Sequence, residues 1–198
     1  MTITGGTSPR AQFPNGGGIA VFGVTLTVKD CLITSNKAPD YFVPSCIPDT
    51  PSYFRCIGQG GGIGAAQSTV FVTDSIITEN SATYGGGLRV AGIGSLTVTD
   101  SVIEGNRASN DGGLGQGGGI YGNAPSLSTM TIKDSLITEN IADTQGGGIY
   151  VNSRALTLKD STITHNEATQ GGGIYLSSST LTVKDSTITD NTPDQIAP

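Results

Sequence analysis

The sequence predicts an all-β protein, a single-stranded parallel β-helix of about six coils in one domain. Three observations lead to this prediction. The 198 residues include 30 glycines, no tryptophan and only 13% charged residues, a composition that favours short strands and tight turns over helices. A Gly-rich motif recurs along the chain. Within each copy, apolar and polar residues alternate with a period of two, which is typical of strands.

The repeat is clearest at Gly171–Asn191, which reads GGGIYLSSSTLTVKDSTITDN, and five earlier copies begin near residues 16, 60, 85, 117 and 146. Each copy supplies three strands that are too short to be stable alone. Stacked coils solve this problem, because every strand then pairs in parallel with its equivalent in the next coil. At ~3.3 Å per residue, a repeat of about 25 residues traces a path of roughly 80 Å, enough for one turn of a β-helix.

Equivalent positions form columns along the predicted solenoid. Two columns are always aliphatic and are predicted to be core: Ile19, Ile63, Leu88, Ile120, Ile149 and Ile174, and Ile33, Ile77, Ile103, Ile137, Ile163 and Ile188. A third column is always Asn: Asn36, Asn80, Asn106, Asn140, Asn166 and Asn191. We expect these Asn residues to adopt a left-handed turn conformation and to pass amide hydrogen bonds from coil to coil.

A column of aspartates marks another turn: Asp30, Asp74, Asp100, Asp134, Asp160 and Asp185. Stacked carboxylates repel one another unless they bond turn amides or bind a cation. We expect them to bond turn amides and expect no cofactor. A calcium ladder is the alternative, although the nonapeptide repeat that would support it is absent.

One surface column is the first candidate for binding. The residue after the first core position should point outward, and it reads Ala20, Gly64, Arg89, Tyr121, Tyr150 and Tyr175. Stacked tyrosines beside an arginine suggest a flat platform for sugar rings or for a protein partner. Alternatively, the rings stack on each other and only make the sheet more rigid.

The second candidate is the longest insertion, residues 37–59. It contains Tyr41, Phe42, Tyr53 and Phe54, together with Cys46 and Cys56. We expect a Cys46–Cys56 disulfide, which would favour an oxidising, extracellular setting, and a free Cys31. The aromatic residues either cover the outside of the β-helix or form a binding loop.

Several function classes are not expected. A net charge of −6 argues against nucleic-acid binding, which needs clustered Lys and Arg. No apolar run approaches the ~20 residues that span a bilayer, so membrane insertion is not expected. The outward column contains no acid, and His165 has no evident second ligand. We therefore predict no catalytic residues and no metal site, with a polysaccharide lyase or glycoside hydrolase as the alternative.

Neither end of the repeat array shows an obvious polar cap. Open β-helix ends expose unpaired strand edges and invite further coils. We expect these edges to be covered by neighbouring coils of a longer chain or by end-to-end self-association into fibres.

The alternation of GGGIY with LTVKDSTITxN resembles the right-handed parallel β-helix repeats of bacterial surface proteins. It is most similar to the polymorphic outer-membrane protein and adhesin-passenger type, although Gly118–Ile120 reads GGI where that family has GGAI, and the family's Phe before the Asn-rich motif is missing. The resemblance implies a right-handed coil, an extracellular or cell-surface location and a structural or adhesive role. Implied partners are glycans or host and cell-surface proteins.

Overall fold

The computed structural model describes residues 1–7, 16–43, 54–56, 58–124 and 128–198, with the backbone alone for 41–43 and 54–56. This part of the chain consists of β-strands joined by turns. The strands form four stacks of parallel strands, and one antiparallel hairpin lies outside them. The predicted all-β parallel solenoid is therefore confirmed.

Two of the stacks contain the longest strands. Sheet 1 comprises β2 (Ile19–Phe22), β8 (Ile63–Ala66), β12 (Leu88–Ala91), β16 (Ile120–Asn123), β20 (Ile149–Asn152), β23 (Ile174–Ser177) and β26 (Ile196–Ala197). Sheet 2 comprises β3 (Thr25–Lys29), β9 (Thr69–Thr73), β13 (Leu96–Thr99), β17 (Thr129–Lys133), β21 (Ala155–Lys159) and β24 (Thr180–Lys184).

The other two stacks contain shorter strands. Sheet 3 comprises β1 (Thr2–Thr4), β4 (Leu32–Thr34), β10 (Ile76–Thr78), β14 (Val102–Glu104), β18 (Leu136–Thr138), β22 (Thr162–Thr164) and β25 (Thr187–Thr189). Sheet 4 comprises β5 (Lys37–Ala38), β11 (Ser81–Ala82), β15 (Arg107–Ala108) and β19 (Ile141–Ala142). The hairpin pairs β6 (Tyr41–Val43) with β7 (Phe54–Cys56).

The core follows the aliphatic columns. Strand pairing places Ile63 beside Leu88 in sheet 1 and Ile77 beside Ile103 in sheet 3, which is the register that the repeat predicts. In the central coils these side chains have no exposed surface. The alternation of inward and outward residues therefore fixes the register, since a slip of one residue would turn every aliphatic side chain to solvent.

Four of the six coils have one strand more than the three that we predicted. The two-residue strands of sheet 4 follow the Asn column, and their second residue is always Ala. Ala108, Ala142 and Ala168 pack together in a small second cluster. The corner next to this cluster is packed closely, since a Cβ at Gly147 would lie 2.4 Å from the carbonyl oxygen of Glu167. The small methyl groups of Ala suit such a narrow space.

The Asn column forms a continuous hydrogen-bond ladder at the corner between sheets 3 and 4. The amide Nδ2 and the backbone N–H of Asn80 both donate to Oδ1 of Asn106, each at 3.0 Å. Asn106 donates in the same way to Asn140. Nδ2 of Asn106 also donates to the backbone carbonyls of Ile77 and Glu104. These Asn side chains are buried with their hydrogen-bonding groups paired, as a dry interior requires.

The left-handed conformation expected at Asn belongs to the preceding residue instead. Positive φ angles occur at Ser35, Glu79, Gly105, Glu139, His165 and Asp190. The ladder needs the Asn side chain to point inward, so the residue before it makes the turn and points outward. The sequence at this position varies because solvent, not packing, surrounds its side chain.

Serine, not aspartate, makes the side-chain hydrogen bonds at the turn between sheets 2 and 3. The hydroxyl of Ser101 accepts the N–H of Ser75 and donates to the carbonyl of Thr99, and other coils repeat this pattern. The aspartates do adopt positive φ, but in the described residues no turn amide donates to them. Instead, Lys159 pairs with Asp160 at 2.7 Å. The hydrogen bond from Lys159 lowers the pKa of Asp160.

The far end of the Asn ladder has a polar cap that we did not expect from the sequence. Oε1 of Gln195 accepts from both Nδ2 and the backbone N–H of Asn191, at 2.9 and 3.2 Å. The glutamine thus supplies the acceptor that the next Asn supplies elsewhere in the ladder. The expectation of an uncapped end is wrong at this corner.

Replacing Asn106 by Ala should lower the free energy of unfolding by about 3–5 kcal/mol, because several buried donors and acceptors would lose their partners. Urea denaturation measures this change. Asn152→Ala is the matched control, since Asn152 lies half-buried on the outside of sheet 1 and its loss should cost about 0.5 kcal/mol. Equal losses for the two variants would contradict the role of the ladder.

Candidate functional site

Three tyrosines stack on the outer face of sheet 1, and a fourth, Tyr84, lies beside them with its ring tilted by 30°. The ring centroids of Tyr121 and Tyr150 are 4.9 Å apart and those of Tyr150 and Tyr175 are 5.5 Å apart, with an interplanar angle of 6° in each pair. Tyr84, which the sequence analysis did not select, extends the stack at 5.0 Å from Tyr121. The sequence did contain an indication for Tyr84, because this residue immediately precedes a Gly-rich corner.

Stacking hides the ring faces. Tyr121 and Tyr150 are only 6% and 7% exposed, although their strand positions point outward. Tyr121 lies between the rings of Tyr84 and Tyr150, and Tyr150 lies between those of Tyr121 and Tyr175, so the faces of these two rings are covered. Of the two interpretations of the column Arg89, Tyr121, Tyr150 and Tyr175, the structure favours rings that stack on each other over a platform of exposed faces.

Two phenols of the stack, those of Tyr121 and Tyr150, have raised pKa values. Burial, with smaller contributions from Tyr121 and Tyr175, raises the pKa of Tyr150 to about 12. Burial also raises the pKa of Tyr121. The unfolded chain ionises these groups near pH 10. The stack therefore stabilises the fold below pH 10, and this stabilisation is lost as the pH rises towards 12.

Tyr150→Phe should reduce the loss of stability between pH 10 and pH 12, because phenylalanine keeps the stack and has no proton to lose. The measurement is the urea midpoint of both proteins at a series of pH values, together with absorbance titration of the phenols. An unchanged slope over this pH range would contradict the assigned pKa.

Two arginines lie in the same part of the molecule, and neither forms a salt bridge with a carboxylate of the described residues. Burial lowers the pKa of Arg89, which is half-buried beside Tyr121 of the next strand. Arg154 is 3% exposed, and burial together with the charge of Arg89 lowers its pKa to about 10.

Arg154 has a structural role. Its guanidinium donates to the backbone carbonyls of Val90, Gly92 and Gly94 at 3.2–3.3 Å. The equivalent residues in the other coils are Val24, Ser68, Gly94, Ser128 and Ser179. A charged residue at this position was therefore a departure from the repeat that the sequence already displayed. The side chain has room because Gly122 lies beside it, where a Cβ would be 3.3 Å from Cδ of Arg154.

A polar cleft of about 520 Å³ lies along sheet 4, beside the two longer insertions. It is lined by Lys37, Ala38, Pro39, Asp40, Ser81, Ala82, Thr83, Arg107, Ser109, Asn110, Asp111 and Asp143. Sequence analysis missed this site, because its residues come from different coils and occupy positions that vary between copies.

Hydrogen bonds hold the walls of the cleft. Arg107 pairs with Oδ1 of Asp143 at 3.2 Å, and Oδ2 of Asp143 accepts the N–H of Asn110 at 3.2 Å. Oδ1 of Asn110 accepts the N–H groups of Gly112 and Leu114 at 2.8 and 3.1 Å. On the opposite wall, Thr83 donates to Asp40 at 2.7 Å.

One donor in this cleft is unused. Nδ2 of Asn110 is shielded from solvent and has no hydrogen-bond partner. A buried donor without a partner is costly. Because Nδ2 is shielded, a ligand acceptor reaches it only when the side chains that cover it move. Exposed hydrogen-bonding groups of both kinds line the remainder of the cleft.

The candidates in the longest insertion fall largely outside the described residues. Cys46 and Tyr53 are not described, and for Tyr41, Phe42, Phe54 and Cys56 only the backbone is. The proposed disulfide and aromatic binding loop remain predictions. Cys31 is free, and its thiol donates to the carbonyl of Lys29 at 3.0 Å.

Across the ranges given above for the structure, no group of three or more His, Cys, Asp or Glu residues is arranged to hold a metal ion. Within the same ranges, no helix has the length and apolar character needed to cross a membrane.

Comparison with known proteins agrees with this geometry. The family model of the right-handed β-helix region matches residues 3–143, well over half of the chain. The chain belongs to the right-handed β-helix family. No curated protein and no solved structure shows a significant match to it.

Proposed function

We propose that this right-handed β-helix is an extracellular or cell-surface scaffold with an adhesive role, and that it binds glycans in the cleft along sheet 4. The observation that supports the proposal best is the cleft itself. It combines carboxylates, an amide, a hydroxyl and two cationic side chains in about 520 Å³. Such mixed donors and acceptors suit a ligand rich in hydroxyl groups, since each hydroxyl both donates and accepts.

The position of the cleft supports a binding role. The invariant columns supply the core, the corners and the ladders, whereas the cleft lies where the coils differ. Binding residues are commonly carried on loops that a rigid scaffold positions. The resemblance to bacterial surface repeats favours the extracellular setting.

Two carboxylates of the cleft are already engaged by neighbouring groups, and this favours binding of a glycan over its hydrolysis. Both oxygens of Asp143 are held, by Arg107 and by the N–H of Asn110. Oδ1 of Asp40 accepts from Thr83 and from the N–H of Gly58. A general acid or base must exchange a proton with the substrate, whereas these groups hold the walls of the cleft. A carbohydrate-active enzyme is the second candidate, supported by the three aspartates of the cleft, Asp40, Asp111 and Asp143.

Asn110→Asp tests the proposal. The variant keeps the oxygen that holds Gly112 and Leu114, so the loop should remain. It replaces the Nδ2 donor with a carboxylate oxygen, so the cleft loses a donor and gains a negative charge close to Asp143. We expect glycans that bind the chain on an array to bind the variant at least ~10-fold more weakly, or about 1.4 kcal/mol. Asn152→Asp, a change of the same chemistry on the outside of sheet 1, should bind as the unmodified chain does.

A reducing-sugar assay on the same glycans separates the two candidates. We expect no release of reducing ends. Release that disappears in an Asp143→Asn variant would favour the enzyme, and an array without any binding would contradict the proposal.

A further inference from the structure

The outer face of sheet 3 carries a stripe of aliphatic side chains. Ile77 and Ile103 are buried in the core, so the residues on either side of them in the strand point outward. The first of these outward residues is aliphatic in four consecutive coils and Thr in the next two: Leu32, Ile76, Val102, Leu136, Thr162 and Thr187. Ile76 is 43% exposed. Contiguous apolar side chains on an outer surface, unlike scattered ones, indicate a surface for interaction.

Acidic side chains border the stripe on both sides. Six exposed residues of three consecutive coils lie just before the strands of sheet 3 or at their ends: Asp74, Asp100 and Asp134, and Glu79, Glu104 and Glu139. Lys133 pairs with Asp134, and the hydroxyl of Ser35 donates to Glu79. Among the described residues, the other four carboxylates form no hydrogen bond and no ion pair. The face is therefore negative around an apolar centre.

A groove of about 540 Å³ follows one border of the stripe. It is lined by Asp100, Ser101, Val102, Asp134, Ser135, Leu136, Asp160 and Thr162. The serine hydroxyls are already engaged, since Ser101 donates to the carbonyl of Thr99 and Ser135 donates to that of Lys133. A ligand in this groove therefore meets mainly carboxylates and apolar side chains.

We infer that the outer face of sheet 3 binds a basic amphipathic α-helix of a protein partner, with the helix parallel to the solenoid axis. The repeat distances support this arrangement. The stripe presents one aliphatic side chain every ~4.8 Å, the spacing of parallel strands. A helix returns to the same face every turn of about 5.4 Å. Between Ile76 and Leu136, two strand spacings apart, the two repeats differ by only about 1 Å in total.

The width of the face also fits a helix. Asp100 and Glu104 lie on opposite borders and are four residues apart, which at ~3.3 Å per residue is at most about 13 Å. A helix with its side chains is about 10–12 Å across. Leucines at helical spacing would pack on the stripe, as in other helix-in-groove complexes, and lysines on either side of them would reach the two acidic borders.

The charge of the face excludes other partners of similar size. A second copy of this chain, which has a net charge of −6, would bring like charges together, and so would a nucleic acid or an anionic membrane. An extended basic peptide places the side chains of one face ~6.7 Å apart, so it matches the stripe less closely than a helix does.

Fluorescence anisotropy with the 198-residue chain tests the inference. The probe is a labelled peptide of about 14 residues, or four helical turns, with leucines at helical spacing on one face and lysines elsewhere. A peptide of the same composition, scrambled so that the leucines no longer share a face, is its control. We expect the amphipathic peptide to bind at least ~10-fold more tightly than the scrambled one.

The double variant Ile76→Thr, Val102→Thr removes part of the stripe. Thr takes the same place at Thr162, so the variant should fold, which circular dichroism checks. We expect it to bind the amphipathic peptide at least ~10-fold more weakly, because two apolar contacts are lost. Ile93→Thr is the control, since Ile93 is 75% exposed at the corner between sheets 1 and 2, and it should bind as the unmodified chain does.

Glu104→Gln tests the acidic border. We expect this change to weaken binding about 3-fold, as the loss of one exposed ion pair does, and to reduce the dependence of binding on salt. Glu167→Gln is the matched control, because Glu167 is exposed on the neighbouring face away from the stripe, and it should change neither.

Three results would overturn the inference. The first is equal binding of the amphipathic and scrambled peptides, which would mean that net charge alone attracts them. The second is undiminished binding by the folded double Thr variant, which would place the peptide elsewhere on the chain. The third is no binding of the amphipathic peptide at a chain concentration of about 1 mM, where even weak complexes form.

Discussion

The structure depends on hydrogen bonds that run along the solenoid axis from each coil to the next. A coil of about 25 residues cannot pair its own backbone groups, because its strands lie side by side only with strands of other coils. The sharp corner after sheet 3 poses the hardest case, since its polar groups are buried. The Asn ladder solves it by giving each coil an acceptor for the next, as between Asn80 and Asn106. Serine hydroxyls do the same at the corner after sheet 2.

This constraint determines where function can reside. Residues of the ladders, the corners and the core have their polar groups and surfaces already engaged. What remains are the positions at which coils differ. The cleft beside Asn110 is formed by such positions. The tyrosine stack, although it lies on the outside, behaves as part of the scaffold because its ring faces cover each other.

Much of the fold could be predicted from the sequence because a repeat displays each structural role several times. Aliphatic columns identify the core, and invariant Asn identifies a ladder. The short strands of sheet 4 were missed, although Ala38, Ala82 and Ala108 each follow an Asn by two residues and provide a visible signal. The left-handed turn was predicted at Asn, because Asn often adopts that conformation. It lies at the preceding residue, since the Asn amide is needed in the buried ladder.

The site could not be predicted in the same way. The cleft brings together Asp40, Arg107 and Asp143, which lie on different coils, and its walls depend on insertions that occur in single copies. Arg154 stands out in the sequence as the one charged residue at its position in the repeat, but its partners lie about two coils away. Burial of the tyrosines could not be predicted from strand alternation, since alternation gives the direction of a side chain and not what covers it.

Native-state hydrogen exchange tests the central claim most directly. The backbone amides of Asn80, Asn106 and Asn140 donate to the Asn of the following coil and should exchange only through global unfolding. Their exchange free energies should therefore equal the unfolding free energy from urea denaturation. If these amides exchange as fast as those of the exposed turn residues Glu79 and Glu139, the ladder does not hold the coils together.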